Sequence, residues 1–202
     1  MVNVSYTSSF KLLFYSFLSF SLAFAFRICG SEYRTLYSDS AQSCTEAEQF
    51  VSFQQELWPQ HCIQGTYGQK LHPELIVREK GFLLRKGYSE VADSYGAFFT
   101  NIGDALPKSA SAFLQKESSE NQLGALLQLQ DIQNVVVLGL AEDYCVKYTS
   151  MQSLLLKYKT YLVTDATKPV FEAQGVDARR VIKEAGGHLI ESCCLLGECA
   201  CA

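Results

Sequence analysis

Hydrophobic positions fall into two periods along this chain, and the change between them marks out its elements. Val135 to Leu140, VVVLGL, is a short apolar run rich in β-branched side chains, the pattern of a strand buried on both faces. The spacing predicts a helix from about Cys145 to Tyr158, a strand over Thr160–Thr164 (TYLVT), a helix over Glu172–Ala185 closed by Gly186-Gly187, and a last strand over His188–Ser192. Upstream, Phe82 to Arg85 reads as a strand ending at Lys86-Gly87, Ser94 to Phe99 as a short helix, and 107–117 and 120–130 as helices. Thr45 is placed to cap a short helix through TEAEQFVSFQQELW. Residues 58–75 are broken by Pro59, Gly65, Gly68 and Pro73 and read as loop. From residue 82 strands alternate with helices. That alternation predicts an α/β fold, a Rossmann-like three-layer arrangement of a parallel sheet with helices on both faces, with its site at the carboxyl ends of the strands.

The junction after the first of these strands carries the chemistry. A strand that turns directly into a helix places Cys145 at the helix start, where unpaired N–H groups and the helix dipole favour a thiolate. A free cysteine is also a common buried filler. Position alone leaves both readings open, and other segments have to decide between them.

Composition narrows the field. The 202 residues suffice for one α/β domain, and a net charge of −4 without a basic stripe argues against a nucleic-acid partner. Neither GxGxxG nor a Walker loop occurs, so nucleotide binding has no support. Of eight cysteines, four crowd into the last ten residues, without zinc-finger spacing, and read as a reduced, disordered tail. Residues 12–26 hold fifteen residues without a charge, between Lys11 and Arg27. Such a run is short for a membrane span and right for a signal-peptide core; an aberrant start reads equally well. The expected organisation is therefore an apolar leader over 1–31, a catalytic domain over 32–192, and a Cys-rich tail over 193–202.

Three segments together resemble the isochorismatase-like cysteine hydrolases and, within them, the nicotinamidases. They are WPQHCIQGTYGQKLHPEL at 58–75, RKGYSEVADSYGAF at 85–98, and GLAEDYCVKYTSMQSLL at 139–155, with VTDAT following at 163–167. The resemblance covers roughly residues 50–192. It implies that Cys145 is the nucleophile, attacking the amide carbon of nicotinamide to leave a thioester. It implies that Lys86 stabilises the thiolate and that the N–H groups of Ala141 and Cys145 form the oxyanion hole after a cis Leu140–Ala141 bond. Trp58 and Tyr95 match aromatics that line the pyridine pocket. His61 matches a ligand of a divalent metal, zinc or iron, that binds the ring nitrogen. Taken alone, Lys86 would be a solvated strand-end lysine, Trp58 and Tyr95 ordinary packing, and His61 a polar loop residue.

The amino-terminal part departs from that pattern. The family carries a catalytic Asp on its first strand and further Asp and His metal ligands. Here residues 1–31 contain no acid, the first being Glu32, and no histidine precedes His61. The first strand is thus expected to be missing or replaced. General-base help is worth about 10²–10⁴ in rate, and catalytic zinc takes three protein ligands, so both functions are expected to suffer. The resemblance implies a nicotinamide-hydrolysing enzyme of NAD salvage, impaired in this chain, acting on a small-molecule amide and able to form homo-oligomers. The alternatives are an inactive binding protein of the same fold and a hydrolase of another small amide. The family implies a cytoplasmic location, and a genuine leader would imply a secreted or membrane-tethered one.

Overall fold

A computed structural model describes the backbone of residues 2–7, 10–13, 20–29, 32–35 and 49–57, and backbone and side chains of 58–75, 81–87, 93–101 and 122–199. The strands are β1 (Val2–Thr7), β2 (Phe10–Leu13), β3 (Phe20–Cys29), β4 (Glu32–Thr35), β5 (Gln49–Leu57), β6 (Phe82–Leu84), β7 (Asn134–Leu140), β8 (Lys159–Lys168) and β9 (His188–Ile190). The helices among the described residues are α1 (Gln122–Leu129), α2 (Lys147–Leu155), α3 (Glu172–Glu184) and α4 (Ser192–Leu196). A six-stranded sheet has the order β6-β1-β2-β7-β8-β9, and β3 to β5 form a three-stranded antiparallel sheet, order β4-β3-β5.

The β2, β7, β8 and β9 ladders are parallel. Strand β7 shows why its sequence is apolar throughout. Val135 and Val137 enter one cluster with Leu162, Ile182 and the α1 residues Leu123 and Leu127. Val136 and Leu138 enter another with Val163, Ile190 and the α4 residues Cys194 and Leu195. Successive side chains point to opposite faces, so a strand covered on both sides has no polar positions to offer. Helices on both faces of a parallel core are what the alternation predicts.

Three expectations change. Residues 49–57, expected in a helix, form β5, paired along its length with β3 from Phe20↔Leu57 to Ile28↔Gln49. A long antiparallel ladder overrides the weak helical pattern of that segment. Ser94–Phe99, expected as a short helix, is a loop. The tail is not wholly irregular or reduced: α4 is followed by Gly197 in the left-handed region, and a disulfide joins Cys193 to Cys199. Helix α4 packs on the sheet through Cys194 and Leu195, so the first part of the tail belongs to the core. The expected 107–117 helix lies outside the described residues. No helix among the described residues is long and apolar enough to cross a membrane. Part of the 12–26 run lies in β2 and part in β3.

The slot beside β7 is filled by β2, with Leu12 opposite Val136 and Leu13 opposite Val137. Its sequence is FKLL. β2 thus lies beside β7 in the backbone ladder, and its sequence contains no carboxylate.

Candidate active site

The site forms where β7 ends. Gly139 has φ 110°, a conformation that a residue with a Cβ rarely adopts, and the β7–β8 register shifts between Val137 and Gly139. Thr167 on β8 donates its hydroxyl to the Gly139 carbonyl at 2.6 Å. The Leu140–Ala141 peptide that follows is cis. Residues Glu142–Val146 then make one π-helical turn that runs into α2, with the Tyr144 and Val146 N–H groups donating to the Ala141 carbonyl. Cys145 sits in this turn and is 3% exposed.

The two acids before Cys145 hold the turn in place. Glu142 is 0% exposed and takes a two-pronged contact from Arg179 on α3, whose Nη2 lies 2.9 Å from Oε2. The buried Asp143 carboxylate accepts the Val170 and Phe171 N–H groups, each at 2.9 Å, and so fixes the entry to α3. Both carboxylates are committed to the scaffold.

Lys86 comes from the loop after β6. Its Nζ lies 3.6 Å from Cys145 Sγ, donates to the Tyr95 carbonyl at 2.7 Å, and donates also to the Ser94 carbonyl. Burial pushes the Cys145 thiol above its ordinary range; the Lys86 ammonium and its hydrogen bond pull it back, and the Asp93 charge pushes it up again. The buried cysteine faces a fixed ammonium across hydrogen-bonding distance.

Trp58 and Tyr95 are brought together. Trp58 Nε1 donates to the Tyr95 hydroxyl at 3.0 Å, and both rings meet Tyr144 edge-on, at 4.7 and 5.5 Å between centroids. Tyr148 on α2 lies 5.3 Å from Tyr95. This aromatic group adjoins the nucleophile turn through Tyr144. A cavity of about 740 Å³ opens at the same end of the sheet and is walled in part by Lys86, Gly139 and Leu140.

His61 is placed differently. It is exposed, and its Nδ1 donates to the Pro59 carbonyl 2.7 Å away within the same loop. His72 is also exposed and faces Glu74. Among the described residues, the one close group of three ligand-type side chains is Cys193, Cys194 and Cys199, two of which are joined in the disulfide, and it excludes His61. The described residues therefore do not assemble a metal site around His61.

Sequence reading missed Asp93, Gln152 and Asn101, which act on the Lys86 loop. Asp93 lies inside the DSYGAF segment that was already singled out, so the signal was present. Gln152 likewise lies inside the 139–155 segment, and Asn101 lies outside all three.

The isochorismatase domain family matches residues 26–192. The chain belongs to that family. Among its relatives is the nicotinamidase of Escherichia coli (strain K12), 34% identical over 116 residues, which are 57% of this chain and 48% of that protein. A protein of L. infantum solved in complex with nicotinate is 30% identical with a TM-score of 0.56, covering 67% of this chain and 61% of the other. A pyrazinamidase of Pyrococcus horikoshii solved in complex with zinc shares the fold at 21% identity and a TM-score of 0.52, covering 66% and 63%. The chain spans about half the length of the curated relatives it matches.

Proposed function

We propose that this chain is a cysteine amidohydrolase that converts nicotinamide to nicotinate and ammonia, in NAD salvage. The observation that carries the reading is the 3.6 Å approach of Lys86 Nζ to Cys145 Sγ; the Ala141 and Cys145 N–H groups are assigned to the oxyanion hole as part of the proposal. The Cys145 thiolate attacks the amide carbon, and the carbonyl oxygen becomes an oxyanion aimed at those two N–H groups. Collapse expels the amide nitrogen, which leaves as ammonia after taking a proton. Water then adds to the thioester, the C–S bond breaks, and nicotinate departs with the thiol restored. Trp58 and Tyr95 offer aromatic faces and edges to the pyridine ring.

A divalent metal, named for the Pyrococcus relative as zinc, has no assembled set of ligands around His61 among the described residues. No step is assigned to it. A cytoplasmic location and the exact pyridine amide belong to the same proposal. One observation favours a second reading, an inactive binding protein of the same fold: β2 occupies the position beside β7 with FKLL and brings no carboxylate.

Ammonia and nicotinate release from nicotinamide, wild type against Cys145→Ala, separates the two. The amidase reading expects turnover in wild type that Cys145→Ala loses by at least about 10³-fold. Equal inactivity at high enzyme concentration, with nicotinamide still binding to both, would establish the second reading.

A further inference from the structure

Loop 93–101 supplies the two carbonyls that hold Lys86, yet it has no regular structure of its own. Two side chains fix it. Asn101 Oδ1 accepts the Tyr95 N–H at 2.8 Å, while the Asn101 N–H donates to the Asp93 carbonyl at 2.8 Å. Gln152 reaches the loop from α2. It is 1% exposed; its Oε1 accepts the Phe98 and Phe99 N–H groups at 2.9 and 3.3 Å, and its Nε2 donates to the Phe99 carbonyl at 3.1 Å. Gln152 lies seven residues beyond Cys145, on the helix into which the Cys145 turn runs.

The loop makes room for this amide at Gly96. A Cβ there would lie 2.1 Å from Gln152 Cδ, Oε1 and Nε2. Any side chain at 96 displaces the amide or the loop.

We infer that Gln152 is the positioning residue that sets the distance between Lys86 and Cys145, and that Gly96 is its matched partner. The chain of contact is short. Gln152 holds the 98–99 amides, the loop turns back through Asn101 to Tyr95, and the Ser94 and Tyr95 carbonyls aim the ammonium at Sγ. Gln152 does not touch the thiol, so its effect passes through Lys86. For turnover this rests on the amidase reading; for thiol chemistry it does not.

The test follows alkylation of Cys145 by iodoacetamide against pH, with the Cys145 peptide quantified by mass spectrometry so that Cys62 and Cys194 do not interfere. Gln152→Met keeps the bulk and removes three hydrogen bonds. Its alkylation midpoint is expected to rise by about one pH unit, because an ammonium that drifts from the thiolate stabilises it less. If nicotinamide is turned over, kcat is expected to fall about tenfold or more with KM changed by less than about threefold. Should Gln152→Met fail to fold, Gln152→Glu is read in its place. It keeps the accepted hydrogen bonds, loses the donation to Phe99, and is expected to shift the midpoint in the same direction by less. Gly96→Ala is expected to reproduce the shift, and Gly96→Ala with Gln152→Asn to recover part of it, since the shorter amide backs away from the new methyl group. A folded variant at either position with the wild-type midpoint overturns the inference. If no protein shows amidase activity, the midpoint alone decides, so failure of the amidase reading remains distinguishable.

Discussion

Cys145 and His61 come from two segments of one family signature, and the fold treats them in opposite ways. Cys145 is buried in a turn fixed from several directions: Thr167 on β8, Arg179 on α3, the 170–171 amides, and Lys86 from the far side. His61 bonds back to Pro59, and Thr66 and Gly65 bond to Ile63 and Gln69, while the first residue of the loop, Trp58, reaches Tyr95. The position of Cys145 is a property of the whole sheet, with partners of its turn 27 to 59 positions away in sequence. The bond from His61 to Pro59 is local. A segment can keep a signature sequence while the side chains that would complete its site are supplied by other elements.

The difference can be broken or sharpened experimentally. The largest effect is expected at Lys86. Lys86→Met removes the cation beside a desolvated thiolate, and nicotinamide turnover is expected to fall about 10²–10³-fold, measured as ammonia release. The Cys145 alkylation midpoint should rise in the same variant. The sign follows from the thiol. Burial already holds it protonated above the ordinary range, only the thiolate reacts, so reactivity climbs with pH, and loss of Lys86 moves that climb further up. A variant with an unmoved midpoint would mean that the Lys86 contact does not govern the thiol.

Next in size is the buried anchor behind the turn. Arg179→Met leaves the Glu142 carboxylate uncompensated. Breaking a fully buried pair costs about 3–5 kcal/mol. The Arg179 side chain is 37% exposed, so about 2–3 kcal/mol is expected in urea unfolding. Double replacement, Glu142→Gln with Arg179→Met, should recover part of this loss. A smaller effect is expected at Asp93, whose negative charge opposes the thiolate. Asp93→Asn should lower the Cys145 midpoint, by less than Lys86→Met raises it. The smallest is at His61: His61→Ala should leave the Cys145 alkylation profile as in wild type. A large shift there would show that the loop and the nucleophile turn are one unit.

Much of this arrangement was legible in the residues. Strands β7 and β8 and helix α3 announce themselves because each buries enough apolar surface to impose a clean period. Lys86 and Cys145 were legible through the family signature, and Trp58 and Tyr95 do meet. Other features could not be read this way. Residues 94–99 look helical, but the Phe98 and Phe99 amides are taken by Gln152, a polar residue that in isolation reads as a solvent-facing helix position, and the Tyr95 amide by Asn101. Glu142 and Asp143 carry no assigned role in the sequence, and only the partners supplied by α3 and its approach reveal them as scaffold. Residues 49–57 were misread because strand pairing with β3 is a long-range property that local periodicity does not carry.

Whether Cys145, held beside Lys86, is a working nucleophile is read from intact mass after the protein is mixed with nicotinamide and quenched in acid within the first turnover. The expected result is an added mass of one nicotinoyl group, mapped to the Cys145 peptide, lost in Cys145→Ser and much reduced in Lys86→Met. Ammonia released at the wild-type rate by Cys145→Ser, with no acyl group on the protein, would contradict it.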